Sequence, residues 1–166
     1  IALGLELDVN LRGELMLAPK HRGCFNFLIG AIHALPSGRG HADTNLAVGE
    51  YLFLLESLLK QGVDVLAHPM RYLRGGDFEL PESLFSIVAG LLRKYGVAAE
   101  MNFHHQGPEP EFVRMLVESG VKLALGSDTH KLWEVGELYP NIRLLDGLGL
   151  GASLDDILWR PPEKGE

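Results

Sequence analysis

The sequence predicts an α/β protein built on a mostly parallel sheet, and three observations carry that expectation. Five short apolar runs recur, most of them roughly 30 residues apart. Amphipathic helical patterns fill the later intervals. Strand and helix in alternation imply βαβ units with right-handed crossovers. Finally, the polar residues of most runs come at or near the carboxyl end, where parallel sheets place their sites.

Residues 1–9 read as the first strand, with Leu3, Leu5, Leu7 and Val9 on one face and Gly4, Glu6 and Asp8 on the other. A glutamate inside such a run is costly to bury without a cation or a set of donors. Residues 10–26 form a polar connection in which His21, between Lys20 and Arg22, reads as a solvated surface site. Residues 27–33 are the second strand, with Ile29, Ala31 and His33 on one face and Leu28, Gly30 and Ile32 on the other. The loop of residues 34–43 has no periodicity and carries Arg39 and His41.

Ala47, Tyr51, Leu54, Leu55 and Leu58 recur at helical spacing, so residues 44–61 form a helix, capped by Asp43 or Thr44 and stopped by Gly62. Residues 63–68 make a third strand, which Pro69 prevents from continuing past His68. A loop over residues 70–80 follows. Pro81 and Glu82 suit a helix start, and Leu84, Ile87, Val88, Leu91 and Leu92 form the inward stripe of a helix reaching residue 95. Gly96 closes it.

Residues 97–102 are the fourth strand, with Ala98, Glu100 and Asn102 sharing a face, and residues 108–119 are another helix, with Phe112, Met115 and Leu116 inward. Residues 121–127 are the fifth strand. The alternation of an extended backbone puts Lys122, Ala124, Gly126, Asp128 and His130 on one face, so the strand carries an Asp and a His on the same side at its carboxyl end. The tail is helical in part, with Ser153 capping a last helix over residues 154–159.

The chain has 166 residues, 46% of them apolar, which is enough for one domain with a real core. A formal charge of −7 argues against a surface that coats nucleic acid. Cys24 is the only cysteine, so no intrachain disulfide can form and a reducing, cytoplasmic setting is expected. No apolar run approaches the roughly 18 residues of a membrane span. The chain opens at Ile1, directly inside a strand-like run and without a leader, so an N-terminally truncated excerpt of a longer protein is expected.

The strand ends bring together Glu6, His33, His68, Glu100, Asn102, Asp128 and His130. Mixed imidazole and carboxylate donors suit Zn, Mn or Fe. Ser127 lacks the G-x-S-x-G setting of a nucleophile.

Five segments carry a more specific likeness. Gly4-Leu5-Glu6-Leu7-Asp8, Ile29-Gly30-Ala31-Ile32-His33, Leu66-Ala67-His68-Pro69, Ala99-Glu100-Met101-Asn102 and Leu125-Gly126-Ser127-Asp128-Thr129-His130 resemble, in order and spacing, the middle and end of the PHP domain, the polymerase and histidinol phosphatase superfamily. The resemblance implies a partial, distorted (β/α)7 barrel with about five mostly parallel strands. It also implies metal ligation by Glu6, His33, His68, Asp128 and His130, with Glu6 bridging, Asp128 and His130 as the catalytic pair, and phosphomonoester hydrolysis by a metal-activated hydroxide. The family's opening H-x-H strand has no counterpart here, since no histidine precedes His21. Reduced activity is therefore expected for this chain.

A small phosphorylated substrate, such as a sugar phosphate, nucleotide or histidinol phosphate, also needs donors beyond the metals. Arg71, Arg39, Asn102 and His105 are the candidate substrate-binding residues, with Arg74 a weaker one. The alternative is a non-catalytic, metal-binding or structural PHP segment of a larger protein such as a polymerase. A five-stranded sheet would also leave open edges through which the chain could form a homodimer.

Overall fold

The computed structural model describes residues 1–38, 43–76, 78–104 and 107–162. It is an α/β fold around one five-stranded sheet, formed by β1 (Gly4–Asp8), β2 (Phe27–Ala31), β3 (Val65–Leu66), β4 (Ala98–Asn102) and β5 (Leu123–Gly126). The strands stand side by side in chain order and every pair is parallel. The sheet is open, and β1 and β5 are its two ends.

Between the strands lie α1 (Thr44–Lys60), α2 (Arg71–Arg74), α3 (Leu84–Tyr95) and α4 (Pro110–Glu118), and after β5 come α5 (Tyr139–Gly147) and α6 (Leu154–Ile157). Asp43 caps α1, its side chain accepting a hydrogen bond from the Asn45 amide. Gly96 ends α3 in the left-handed conformation, which costs a glycine nothing. Helix α1 packs on α3 and α3 on α4. Leu54, Leu55, Leu58, Leu92 and Phe112 from these helices meet Leu28, Leu66, Met101 and Leu123 from the sheet in the main core.

The alternate residues of the strands face the other way. There Val65, Ala98 and Ala124 form a small second cluster with Ile29 and Trp159. Trp159 reaches this face because its backbone amide bonds the Leu123 carbonyl at 2.8 Å, and its ring meets Phe27 edge-on at 5.1 Å between centroids. Glu6 pairs in register with Ile29, so the first glutamate belongs to this thinly covered side.

Several element boundaries differ from the sequence expectation. The β2, β3 and β5 ladders stop two residues short of the polar residues at 33, 68 and 128. Helix α3 begins at Leu84, because residues 81–83 form a turn in which the Leu84 amide bonds the Pro81 carbonyl. Its inward stripe is Leu84, Val88, Ala89 and Leu92, and Ile87 is exposed. The expected loop of residues 70–80 contains the one-turn helix α2. Ser153 precedes α6, but its side chain makes no capping bond. Among the described residues no helix is long and apolar enough to cross a membrane.

Candidate metal centre

Glu6 projects from the middle of β1, His33 lies two residues past β2, and His68 lies two residues past β3. Because these three strands are adjacent and parallel, their carboxyl ends bring the three side chains together. His33 Nε2 and His68 Nε2 are 3.1 Å apart, and Glu6 Oε1 lies 3.9 Å from the first and 3.8 Å from the second. Among the described residues this is the one group of three or more such donors close enough to share an ion. A tetrahedral ion with ligands at about 2.0–2.1 Å has its donor atoms about 3.3–3.4 Å apart. The observed separations bracket that edge, so the residues fit a zinc-sized ion.

Protonation favours the same reading. Asp8, two residues after Glu6 on β1, contacts His33 Nδ1 through Oδ1 at 2.7 Å. A carboxylate can only accept, so Nδ1 carries the proton, and in the neutral ring Nε2 is then the nitrogen that offers a lone pair towards Glu6 and His68. This carboxylate–histidine arrangement accompanies metal-ligating imidazoles generally. His68 is buried, with a side chain only 6% exposed, whereas Glu6 and His33 are open to solvent at 41% and 50%. The neighbouring His68 imidazole holds the Glu6 carboxyl below its usual range, against the desolvation that partial burial imposes.

Behind His68 sits Glu100. Its Oε2 accepts the His68 backbone N–H at 2.8 Å and the Asn102 side-chain amide at 3.2 Å. Burial pushes the Glu100 carboxyl up, and these two donors pull the other way. Asn102 is itself buried, and its Oδ1 accepts the His104 amide at 2.8 Å.

The other two expected ligands stand apart from the triad. The backbone turns at Asp128, whose φ of 46° ends the extended run, so strand alternation does not set the placement of Asp128 and His130. They are nonetheless neighbours, with His130 Nε2 3.3 Å from Asp128 Oδ1. Asp128 Oδ2 accepts a hydrogen bond from Arg71 Nη1 at 2.8 Å. Partial burial opposes the Asp128 charge, but hydrogen bonds from Arg71 and Asn102 outweigh it and take the carboxyl down to about 2. Asp128 is close enough to Glu6 for its charge to push the Glu6 carboxyl up. His130 is exposed and stacks on His104, with centroids 4.3 Å apart.

Arg71 was expected on a free loop. It starts α2 and is tied to Asp128, while its Nε and Nη2 are buried without a partner among the described residues. Arg74 is held by Glu109 and the Gly107 carbonyl. His21 is exposed, as its basic neighbours suggested. Arg39, His41 and His105 lie outside the described residues. No protein-family model matches the chain, and no curated protein is significantly similar to it.

Proposed function

We propose that the chain is a metal-dependent phosphoesterase that hydrolyses small phosphomonoesters, as the resemblance to PHP domains implies, with its sheet forming part of a wound β/α barrel. The observation that carries this reading is the convergence of Glu6, His33 and His68 at neighbouring strand ends, with Asp8 fixing the His33 tautomer. A divalent Zn, Mn or Fe ion bound there would supply positive charge to a phosphoryl oxygen and acidity to a water.

The side chains have separable tasks. Glu6, His33 and His68 hold the ion. Asp128 and His130, from the next rim position but one, complete the catalytic group beside it. Arg71 is assigned to the substrate phosphate as a forked donor from its position three residues after His68; its Nη1 holds Asp128, and its Nε and Nη2 are buried without a partner among the described residues. Asn102, Arg39 and His105 are assigned to substrate from their positions in the sequence alone, and the Asn102 side-chain amide also donates to Glu100. A reducing, cytoplasmic setting and a homodimer formed through the sheet edges belong to the same proposal.

One observation favours a second reading. The Arg71–Asp128 pair ties up a carboxylate that catalysis would use, which suits a metal-binding or structural PHP segment of a larger protein. Hydrolysis of p-nitrophenyl phosphate by chelator-stripped protein, with and without added Mn or Zn, separates the two. Metal-dependent turnover that disappears in His68→Ala supports the esterase. Metal binding without turnover supports the segment.

A further inference from the structure

His68 is the most buried member of the triad and also the most constrained. Its φ is 27°, and that of Met70 two residues later is 72°. Such non-glycine conformations are strained and persist only where the surroundings fix them. The turn 68–70 is fixed from two sides. The Tyr51 hydroxyl meets the Met70 amide at 3.4 Å, and Glu100 accepts the His68 amide at 2.8 Å.

The Glu100 contact is the stronger, and it is built in depth. The oxygen that holds His68 also receives the side-chain amide of buried Asn102. The other oxygen lies against Gly126 on the adjacent strand, where a Cβ would collide with Glu100 Oε1. Glu100 is therefore clamped between its own strand and β5, and it does not belong to the group of donors that could share the ion. A largely buried carboxylate so placed spends its acceptor capacity on the backbone of a metal ligand.

We infer that Glu100 is a positioning residue: its carboxylate fixes the strained turn that aims His68 Nε2, and through it sets the affinity and coordination geometry of the ion. This inference rests on the metal reading of Glu6, His33 and His68. Gly126 is part of the same device, because only a residue without a Cβ leaves room for the carboxylate.

The test is titration of chelator-stripped protein with Co(II), followed by its visible absorption, in the unaltered protein and in Glu100→Gln, Glu100→Ala and Gly126→Ala. Glu100→Gln keeps an oxygen for the His68 amide and should retain affinity within a few-fold with an unchanged spectrum. Glu100→Ala should bind about ten- to a hundredfold more weakly and shift the absorption bands. Gly126→Ala removes no donor or acceptor, yet it displaces the carboxylate and should change affinity and spectrum in the same direction. It also keeps the test available if Glu100→Ala does not fold. A carboxylate that served stability alone would lower the unfolding midpoint and leave the Co(II) spectrum unmoved. Unchanged affinity and spectrum in Glu100→Ala or Gly126→Ala would overturn the inference and leave the metal centre standing. Absence of Co(II) binding by the unaltered protein would overturn the metal reading and this inference with it.

Discussion

Arg71 Nη1 donates to Asp128 Oδ2 at 2.8 Å, joining the turn after β3 to the turn after β5 across the intervening strand. Both side chains are largely buried, so the pair is screened less than a surface ion pair. Removing the cation in Arg71→Met should destabilise the metal-free protein by about 1.5–3 kcal/mol at neutral pH, the scale of a hydrogen bond to a charged group. The Asp128 carboxyl sits at about 2 in the folded protein against an ordinary 3.8. Its contribution is therefore complete above the ordinary value and is lost as pH falls through about 2. Urea unfolding at a series of pH values should show the gap between wild type and Arg71→Met narrowing over that window. A gap independent of pH would mean that Arg71 acts through packing alone.

Asp8 fixes which nitrogen of His33 is free. Asp8→Asn keeps the shape but loses the charge that favours a protonated Nδ1, and metal affinity should fall about ten- to a hundredfold. Competition with a chromophoric chelator measures this. Affinity equal to wild type would reduce Asp8 to a surface carboxylate.

Gly30 in β2 lies directly under α1. A Cβ there would come within 2.8 Å of the Leu58 side chain, which is fully buried. Gly30→Ala should cost about 1–3 kcal/mol through overpacking and leave metal affinity unchanged, since the residue is three positions from His33 on the opposite face. Denaturant midpoints and a metal titration on the same preparation check both halves.

The thinly covered face of the sheet holds a groove of about 370 Å³ lined by Phe27, Ile29, Val65, Ala124 and Trp159 among others. Together with the β1 edge and the part of the β5 edge that residues 158–159 leave uncovered, this gives the chain surfaces suited to self-association. Sedimentation velocity should show a dimer that grows with concentration. A monomer across the whole range would remove the homodimer from the proposal.

The order of strands and helices was legible because apolar runs and helical stripes are local signals. Strand ends were less so. Sequence expectation extended β2, β3 and β5 to or towards the polar residues that follow, whereas the ladders stop earlier and turns such as those at His68 and Asp128 carry the site. Alternation therefore placed Glu6 beside Asp8 and put His33 at a strand end, two of the three donors that converge, but gave the wrong reason for pairing Asp128 with His130. A single helical turn such as α2 is too short for periodicity, so the tie between Arg71 and Asp128, 57 positions apart, left no trace in the sequence. Asp8 was placed on the face of Glu6, but its partner could be named only once the register put Asp8 opposite Ala31, two residues before His33.

A metal centre here requires that Glu6, His33 and His68 hold one ion together. Anomalous scattering at the zinc edge from crystals of chelator-stripped protein soaked in zinc tests this directly. A single strong peak is expected about 2.0–2.2 Å from Glu6 Oε1, His33 Nε2 and His68 Nε2. No peak there, or a peak only at the His104–His130 stack, would contradict the shared site.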